Sequence, residues 1–330
     1  MIDPSQRYGV FLNVEDPDAD PADALDQMAQ TAVAAEAAGY DDVWVAEHHY
    51  SRFAIGSALT VLLAYLAART SRIRLGAGAS LLALNDPVRV AEDVATLDLL
   101  SRGRIEFGVA RGGPFPEQYR HAGLPSADDA RLRMHEALAL ILRLWREPAV
   151  CFEGHFYHCE DLSIHPLPQQ QPIPVWLASL STGSRRIAAA GGHGLMATPS
   201  SDFAEVAAVV SSERAVRGDF PFAIARFFHC DTDHRRAVEA GVAAVRAYPG
   251  LMGVRFGSAG MPPMFASDAS EATILANAVI GDPAHCAERV RALRERLGPH
   301  RLLLKPAVHR PAQARDALAL FMERVVRAAG

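Results

Sequence analysis

The chain has 330 residues, half of them hydrophobic and 22% charged, with 24 glycines, 21 prolines and a formal net charge of −5. This is the composition of a globular chain, not of a disordered or fibrous one, and the length suits one large α/β barrel or two smaller domains. The acidic balance, with no basic run and no aromatic-interleaved basic patch, leaves no footprint for nucleic acid or an anionic membrane, so a small-molecule partner is expected.

Of the 33 basic residues only Lys305 is a lysine. That removes P-loop chemistry and leaves one side chain able to form a Schiff base. The four cysteines, Cys151, Cys159, Cys230 and Cys286, show no CxxC spacing, and the first ten residues carry no charged segment followed by an apolar one, so a cytoplasmic setting is the expectation. The uncharged, mostly apolar stretch 53–68 is too short for the roughly 20 residues of a bilayer span and reads as a buried helix.

Along the chain, short apolar or β-branched runs at 8–14, 42–46, 73–79, 105–110, 175–179, 195–198, 222–228 and 301–305 predict eight strands. Helical patterns follow near 21–38, 56–70, 87–100, 127–147, 182–190, 202–216, 283–297 and 311–328. Asp86-Pro87 and Asp282-Pro283 place a cap and a proline at two of the helix starts. Eight alternating units running to the C-terminus predict a (β/α)8 TIM barrel over 1–330 as a single domain, with insertions at about 148–174 and 250–277. A doubly wound sheet is the rival architecture, but no glycine-rich fingerprint opens the first helix. The first insertion carries a predicted hairpin near Glu153-Gly154. Long loops of this kind commonly hold lids or substrate contacts.

In such a barrel the site lies at the carboxyl ends of the strands. Four consecutive strand runs end in polar residues: Glu47-His48-His49, Ser80, Arg111-Gly112-Gly113, and the turn Ser179-Leu180-Ser181-Thr182-Gly183-Ser184. A hydroxyl-rich turn opening a helix, together with an arginine, suits a phosphate, and glycines beside the arginine let backbone approach a ligand. The same turn also serves as an ordinary helix cap. Adjacent histidines at a strand end point in opposite directions, which favours proton transfer over shared metal ligation, and no metal is expected. Cys151, His155, His158 and Cys159 imitate zinc spacing but fall across the hairpin. Gly192 to Ala197 spells GxGxxA, yet it leads from a helix into a strand, the reverse of the dinucleotide-binding order. Lys305 reads as a rim charge, with a Schiff-base lyase as the rival enzyme.

The stretches GYDDVWVAEHH (39–49), RLGAGASLLALNDPVRVAEDVATLDLLSRGRIEFGVARG (74–112), PVWLAS (174–179) and, more loosely, IGDPAHCAERV (280–290) resemble flavin-dependent monooxygenases of the bacterial luciferase type. The similarity is clear over about 7–120, weaker to about 198 and poor over 200–270. It implies a (β/α)8 barrel that takes reduced FMN from a separate NAD(P)H:flavin reductase. With O2 as co-substrate it would oxidise a small organic compound, of aldehyde, ketone or sulfonate class, through a flavin C4a-hydroperoxide. On that resemblance His48 is the catalytic histidine, supported by Glu47 and His49. Gly78, Ala79 and Ser80 lie under the flavin ring, with a non-prolyl cis peptide at Gly78-Ala79. Arg111, Ser179, Ser181, Thr182 and Gly183 hold the phosphate. The turn at 179–183 is spaced differently from the family's, and Ala110 stands where relatives can carry a reactive cysteine. The resemblance also implies a homodimer through the helices near 56–70 and 87–100, with Glu92 and His49 at the interface. An F420-dependent oxidoreductase and a non-catalytic flavin-binding protein on the same barrel are the alternatives.

Overall fold

The computed structural model describes residues 6–16, 18, 20–113, 115–253 and 261–329. Eight parallel strands close into a barrel: β1 (Arg7–Leu12), β2 (Asp42–Val45), β3 (Arg74–Ala77), β4 (Ile105–Ala110), β5 (Val175–Leu177), β6 (Gly194–Ala197), β7 (Phe222–Cys230) and β8 (Arg301–Pro306). Closure comes from β8 on β1, with Arg7 beside Arg301, and from β7, which pairs with both β6 and β8. The outer layer is α1 (Pro21–Ala38), α2 (Leu59–Arg69), α3 (Pro87–Ser101), α4 (Ala127–Leu144), α5 (Thr182–Gly191), α6 (Phe203–Arg217), α7 (Pro283–Leu297) and α8 (Pro311–Phe321). Two of these helices start as their sequences predict: the side chain of Asp86 accepts from the Arg89 N–H and that of Asp282 from the His285 N–H.

Each strand is buried on both faces, which is why the strand runs are nearly continuous in apolar residues. The outward set, such as Val43, Leu75, Leu302 and Leu304, packs under the helices. The inward set, including Phe11, Trp44, Trp176, Met196, Ala225 and Leu303, fills the barrel. Trp44 and Trp176 meet edge to face with centroids 5.8 Å apart. Their neighbours must then be glycine: a Cβ on Gly76 would lie 2.1 Å from Trp44 Cδ2, and one on Gly194 would lie 2.3 Å from Trp176 Cε3.

Two departures from the sequence reading concern the β7–α7 connection and Lys305. The connection holds a 19-residue helix, His234–Met252, then a 3₁₀ turn, a short helix Glu271–Ala276 and a short strand Val279–Gly281 on the edge of β7. The long helix was not predicted. Its buried face is made of small residues, Ala237, Val238, Gly241, Val242, Ala244 and Val245, and Pro249 lies inside it, so its periodicity is faint. Residues 254–260 of the predicted insertion lie outside the described residues. The first insertion does contain a hairpin, Val150–Glu153 with His158–Leu162, where the Gly154 N–H donates to the Tyr157 carbonyl. Lys305 is not a rim charge: it is 2% exposed, and its Nζ donates to Glu15 Oε1 at 2.6 Å. The closing of β8 onto β1 brings together two residues 290 apart in sequence.

Candidate active site

β2 hands over directly to Ala46, Glu47, His48 and His49, and β3 to Gly78, Ala79 and the short strand Ser80–Leu81, which pairs with the end of β4. The Gly78–Ala79 peptide is cis, as the resemblance implied. Glu47 is 5% exposed and ties this corner together. Its carboxyl oxygens accept from the Leu81 N–H (3.1 Å), from Asn85 Nδ2 (3.0 Å) and from the His49 ring (2.8 Å). His49 is therefore engaged with Glu47 while His48 takes the other direction, as alternation along an extended chain requires.

His48, Glu47, Gly78 and Ala79 all open onto one cavity of about 260 Å³ at the carboxyl end of the barrel. The His48 N–H donates to the Gly56 carbonyl at 3.2 Å, and its ring meets Phe115 edge-on with centroids 6.1 Å apart. Burial, reinforced by the charges of Lys305 and His49, pulls the imidazole down to about 4, so it is neutral at physiological pH. Ala46, Ala110, Gly112, Gly113 and Ala178 line the same space, so much of the wall is backbone and methyl groups that a flat ring system can lie against. Larger clefts lie elsewhere, one of about 340 Å³ at the opposite mouth of the barrel and one of about 450 Å³ between α2 and α3, away from these residues.

The expected phosphate residues are not on the cavity wall. Arg111 Nη1 donates to the Tyr119 hydroxyl (3.1 Å) and to the Ala127 carbonyl (3.3 Å). Ser181 caps α5, accepting from the Ser184 N–H at 3.4 Å, and a hydroxyl chain runs from Ser179 through Ser181 to Ser184. Thr182 Oγ1 accepts from Arg185 at 3.3 Å. Beside this turn a Cβ on Gly183 would sit 3.3 Å from His135 Cε1, and His135 Nε2 is buried without a partner. An orphaned ring nitrogen next to a capped helix start fits an anionic oxygen. The residues present thus fit a flat ring system against the cavity wall and an anionic oxygen at the start of α5.

The sequence reading passed over Asn13, Asn85, Gln118, His135 and Tyr248. Asn13, Gln118 and Tyr248 line the cavity, and Gln118 is 1% exposed with both amide atoms unpartnered. Asn13 is the polar residue that follows the first strand, which ends at Leu12, two residues before the end of the predicted run. Among the described residues no group of three or more His, Cys, Asp or Glu is placed to hold a metal ion, and no helix is long and apolar enough to cross a membrane.

A closed parallel barrel with a backbone-walled cavity and a neutral histidine at its carboxyl end defines a cofactor-dependent enzyme of the TIM-barrel class. The family model of luciferase-like monooxygenases matches residues 6–301, and the chain belongs to that family. Its named homologues include flavin-dependent monooxygenases and F420-dependent dehydrogenases. It is 34% identical over 176 residues to an F420-dependent glucose-6-phosphate dehydrogenase of Kineococcus radiotolerans, covering 52% of each chain. It is 29% identical over 196 residues to the oxygenase component of a flavin-dependent trigonelline monooxygenase of Acinetobacter baylyi, covering 58% of this chain and 54% of the other. The chain thus spans about half the length of these curated relatives. A monooxygenase structure from Streptomyces bottropensis superposes with a TM-score of 0.84 over 98% of this chain and all of that one, at 24% identity, which shares the fold.

Proposed function

We propose that the chain is the oxygenase component of a two-component, FMN-dependent monooxygenase acting on a small organic substrate of aldehyde, ketone or sulfonate class. The observation that carries this reading is the cavity that His48 shares with Gly78 and Ala79. When bound, reduced FMN from a separate NAD(P)H:flavin reductase supplies the electrons that activate O2. The chain's own residues do the rest. Gly78, Ala79 and Ser80 receive the ring, and Arg111, Ser179, Ser181, Thr182 and Gly183 take the phosphate. Glu47 fixes His49, Leu81 and Asn85, so the His48 ring keeps its place. The neutral imidazole has one ring nitrogen that donates a hydrogen bond and one that accepts, so it can pass a proton on without resting as a cation.

To test this, the protein is loaded anaerobically with reduced FMN and mixed with O2 while oxidised flavin absorbance is followed. Reoxidation is expected to be much slower than that of free FMN, and to quicken when a substrate is added. Immediate reoxidation with tight binding of oxidised FMN would favour a flavin-binding protein. The F420 reading is kept because of the 34% identity to an F420-dependent dehydrogenase. Failure to bind FMN together with tight F420 binding would establish it in place of the first.

A homodimer through α2 and α3 belongs to the same reading. Val61 on α2 and Leu100 on α3 are 66% and 64% exposed, and Tyr65 and Leu99 add to that apolar face. Glu92, at the same cleft, pairs with Arg89 at 3.5 Å. Sedimentation at micromolar concentration is expected to give a species of two chains, and Val61→Glu with Leu100→Glu a single chain. A wild-type monomer would remove this interface.

A further inference from the structure

The sequence between β1 and α1 turns at Val14, whose φ of 53° is left-handed, an uncommon state for a β-branched residue. That turn sends its two neighbours to different partners. Asn13 Nδ2 donates to the Tyr248 hydroxyl oxygen at 2.6 Å, and Glu15 accepts from the buried Lys305. Tyr248 comes from the unpredicted helix in the β7–α7 connection. Lys305 Nζ in turn lies 4.5 Å from the centre of the Tyr248 ring and 4.9 Å from that of Phe227. Strained backbone held by such a set is a mark of a working site.

The chemistry of the set is specific. Because Tyr248 oxygen accepts from Asn13, its O–H is left to donate, and no acceptor for it stands among the described residues. A cation over the ring face draws electron density from the phenol and makes that O–H a stronger donor. Burial and the nearby Glu15 hold the phenol well above its ordinary titration range, so the proton stays on. Asn13 and Tyr248 line the His48 cavity together with Phe11, Met252 and Phe265, so the donor is set in an apolar wall. The Lys305 charge is matched by Glu15 at 2.6 Å and offers no net attraction to an anion.

We propose that Tyr248, oriented by Asn13, donates the hydrogen bond that seats the oxygen of a neutral carbonyl substrate, a ketone or aldehyde on a mainly hydrocarbon frame. This rests on the monooxygenase reading above and narrows its substrate class. Tyr248 is the residue that touches the substrate, and Asn13 is a positioning residue.

The test uses the full chain with oxidised FMN present. Two ketones, cyclohexanone and 2-octanone, are titrated against their isosteres methylenecyclohexane and 2-methyl-1-octene, which replace the oxygen by CH2. Wild type should prefer the ketones, and the infrared C=O band of bound ketone should move to lower wavenumber. Tyr248→Phe should cost about tenfold in ketone affinity, the scale of one hydrogen bond, leave the methylene compounds unchanged and return the band. Asn13→Asp supplies an acceptor that takes the Tyr248 proton, so it should mimic Tyr248→Phe although the hydroxyl is still present. A ketone-to-isostere ratio unchanged in Tyr248→Phe overturns the role of Tyr248, and an unmoved band in Asn13→Asp overturns the orientation by Asn13. Absence of ketone binding to wild type overturns the neutral-carbonyl class. The failures are separable: slow flavin reoxidation with an unchanged ratio leaves the monooxygenase reading standing without this inference. A lost ratio with immediate reoxidation does the reverse.

Discussion

His48→Ala is expected to lower turnover by about 10²–10⁴-fold, the range for loss of a positioned proton-transfer group, while flavin affinity stays within about twofold because the ring wall and phosphate residues are untouched. Burial, then Lys305 and His49, hold the imidazole at about 4, so at pH 7 it is neutral, with one ring nitrogen to donate a hydrogen bond and the other to accept one. The same depression has a stability consequence with a definite sign. The folded chain binds fewer protons at His48 than the unfolded chain does between its ordinary value near 6.5 and about 4. The contribution of His48 to stability is therefore complete above about 6.5 and is lost as pH falls towards 4. His48→Ala should flatten that part of the acid limb in urea titrations at several pH values. Lys305→Met, which removes a nearby cation, should move the titration of His48 upwards. Unchanged turnover with a working substrate would take His48 out of the chemistry.

At the opposite mouth of the barrel the largest stability effect is expected from Arg301→Met, about 3–5 kcal/mol at pH 7.5, the cost of breaking a buried ion pair by removing one partner. Arg301 Nη1 meets Asp42 at 3.1 Å and its Nη2 meets Glu106 at 2.9 Å, and its guanidinium stacks 4.8 Å from the Trp176 ring centre. Glu106 also receives Arg74 Nε at 2.5 Å and Trp176 Nε1 at 2.6 Å, and Asp42 receives Trp44 Nε1 at 2.7 Å. The network thus anchors both tryptophans of the barrel interior. Asp42 is completely buried, and that burial outweighs Arg301 and raises its carboxyl to about 6, with Glu106 adding to the rise.

A carboxyl with a raised folded-state value favours the fold below its unfolded value, and that advantage is lost as pH rises through about 6. Without Arg301 the Asp42 carboxyl shifts further up, so the deficit of the variant should shrink when urea unfolding is repeated at pH 5. A deficit that does not change with pH would assign the effect to lost packing on Trp176 instead.

Much of this molecule is local and was readable as such. Eight apolar runs of strand length, separated by amphipathic stretches with Asp-Pro starts, specify a barrel because each run must be buried on both faces and each helix on one. The residues that follow the predicted strand ends, Glu47-His48-His49 and Ser80, are legible for the same reason: chain direction alone puts them at one mouth, whereas Gly78-Ala79 was singled out only by the family resemblance. Periodicity could not find the helix His234–Met252, whose face is built from alanine, valine and glycine and interrupted by Pro249.

Nor could sequence supply the pairings that give charges their meaning. Lys305 reads as an isolated cation until β8 closes on β1 and places Glu15 against it, and Asp42 meets Arg301 across 259 residues by the same closure. Asn13 and Tyr248, 235 apart, share a hydrogen bond only because the β7–α7 connection returns over the barrel mouth. The sequence by itself determined the order of elements and which side chains stand at which mouth, since both follow from short-range pattern and chain direction. Which buried groups face one another, and hence which protons move, was decided only when the first and last strands met, because an ionisable group takes its character from neighbours that the chain brings together by closing on itself.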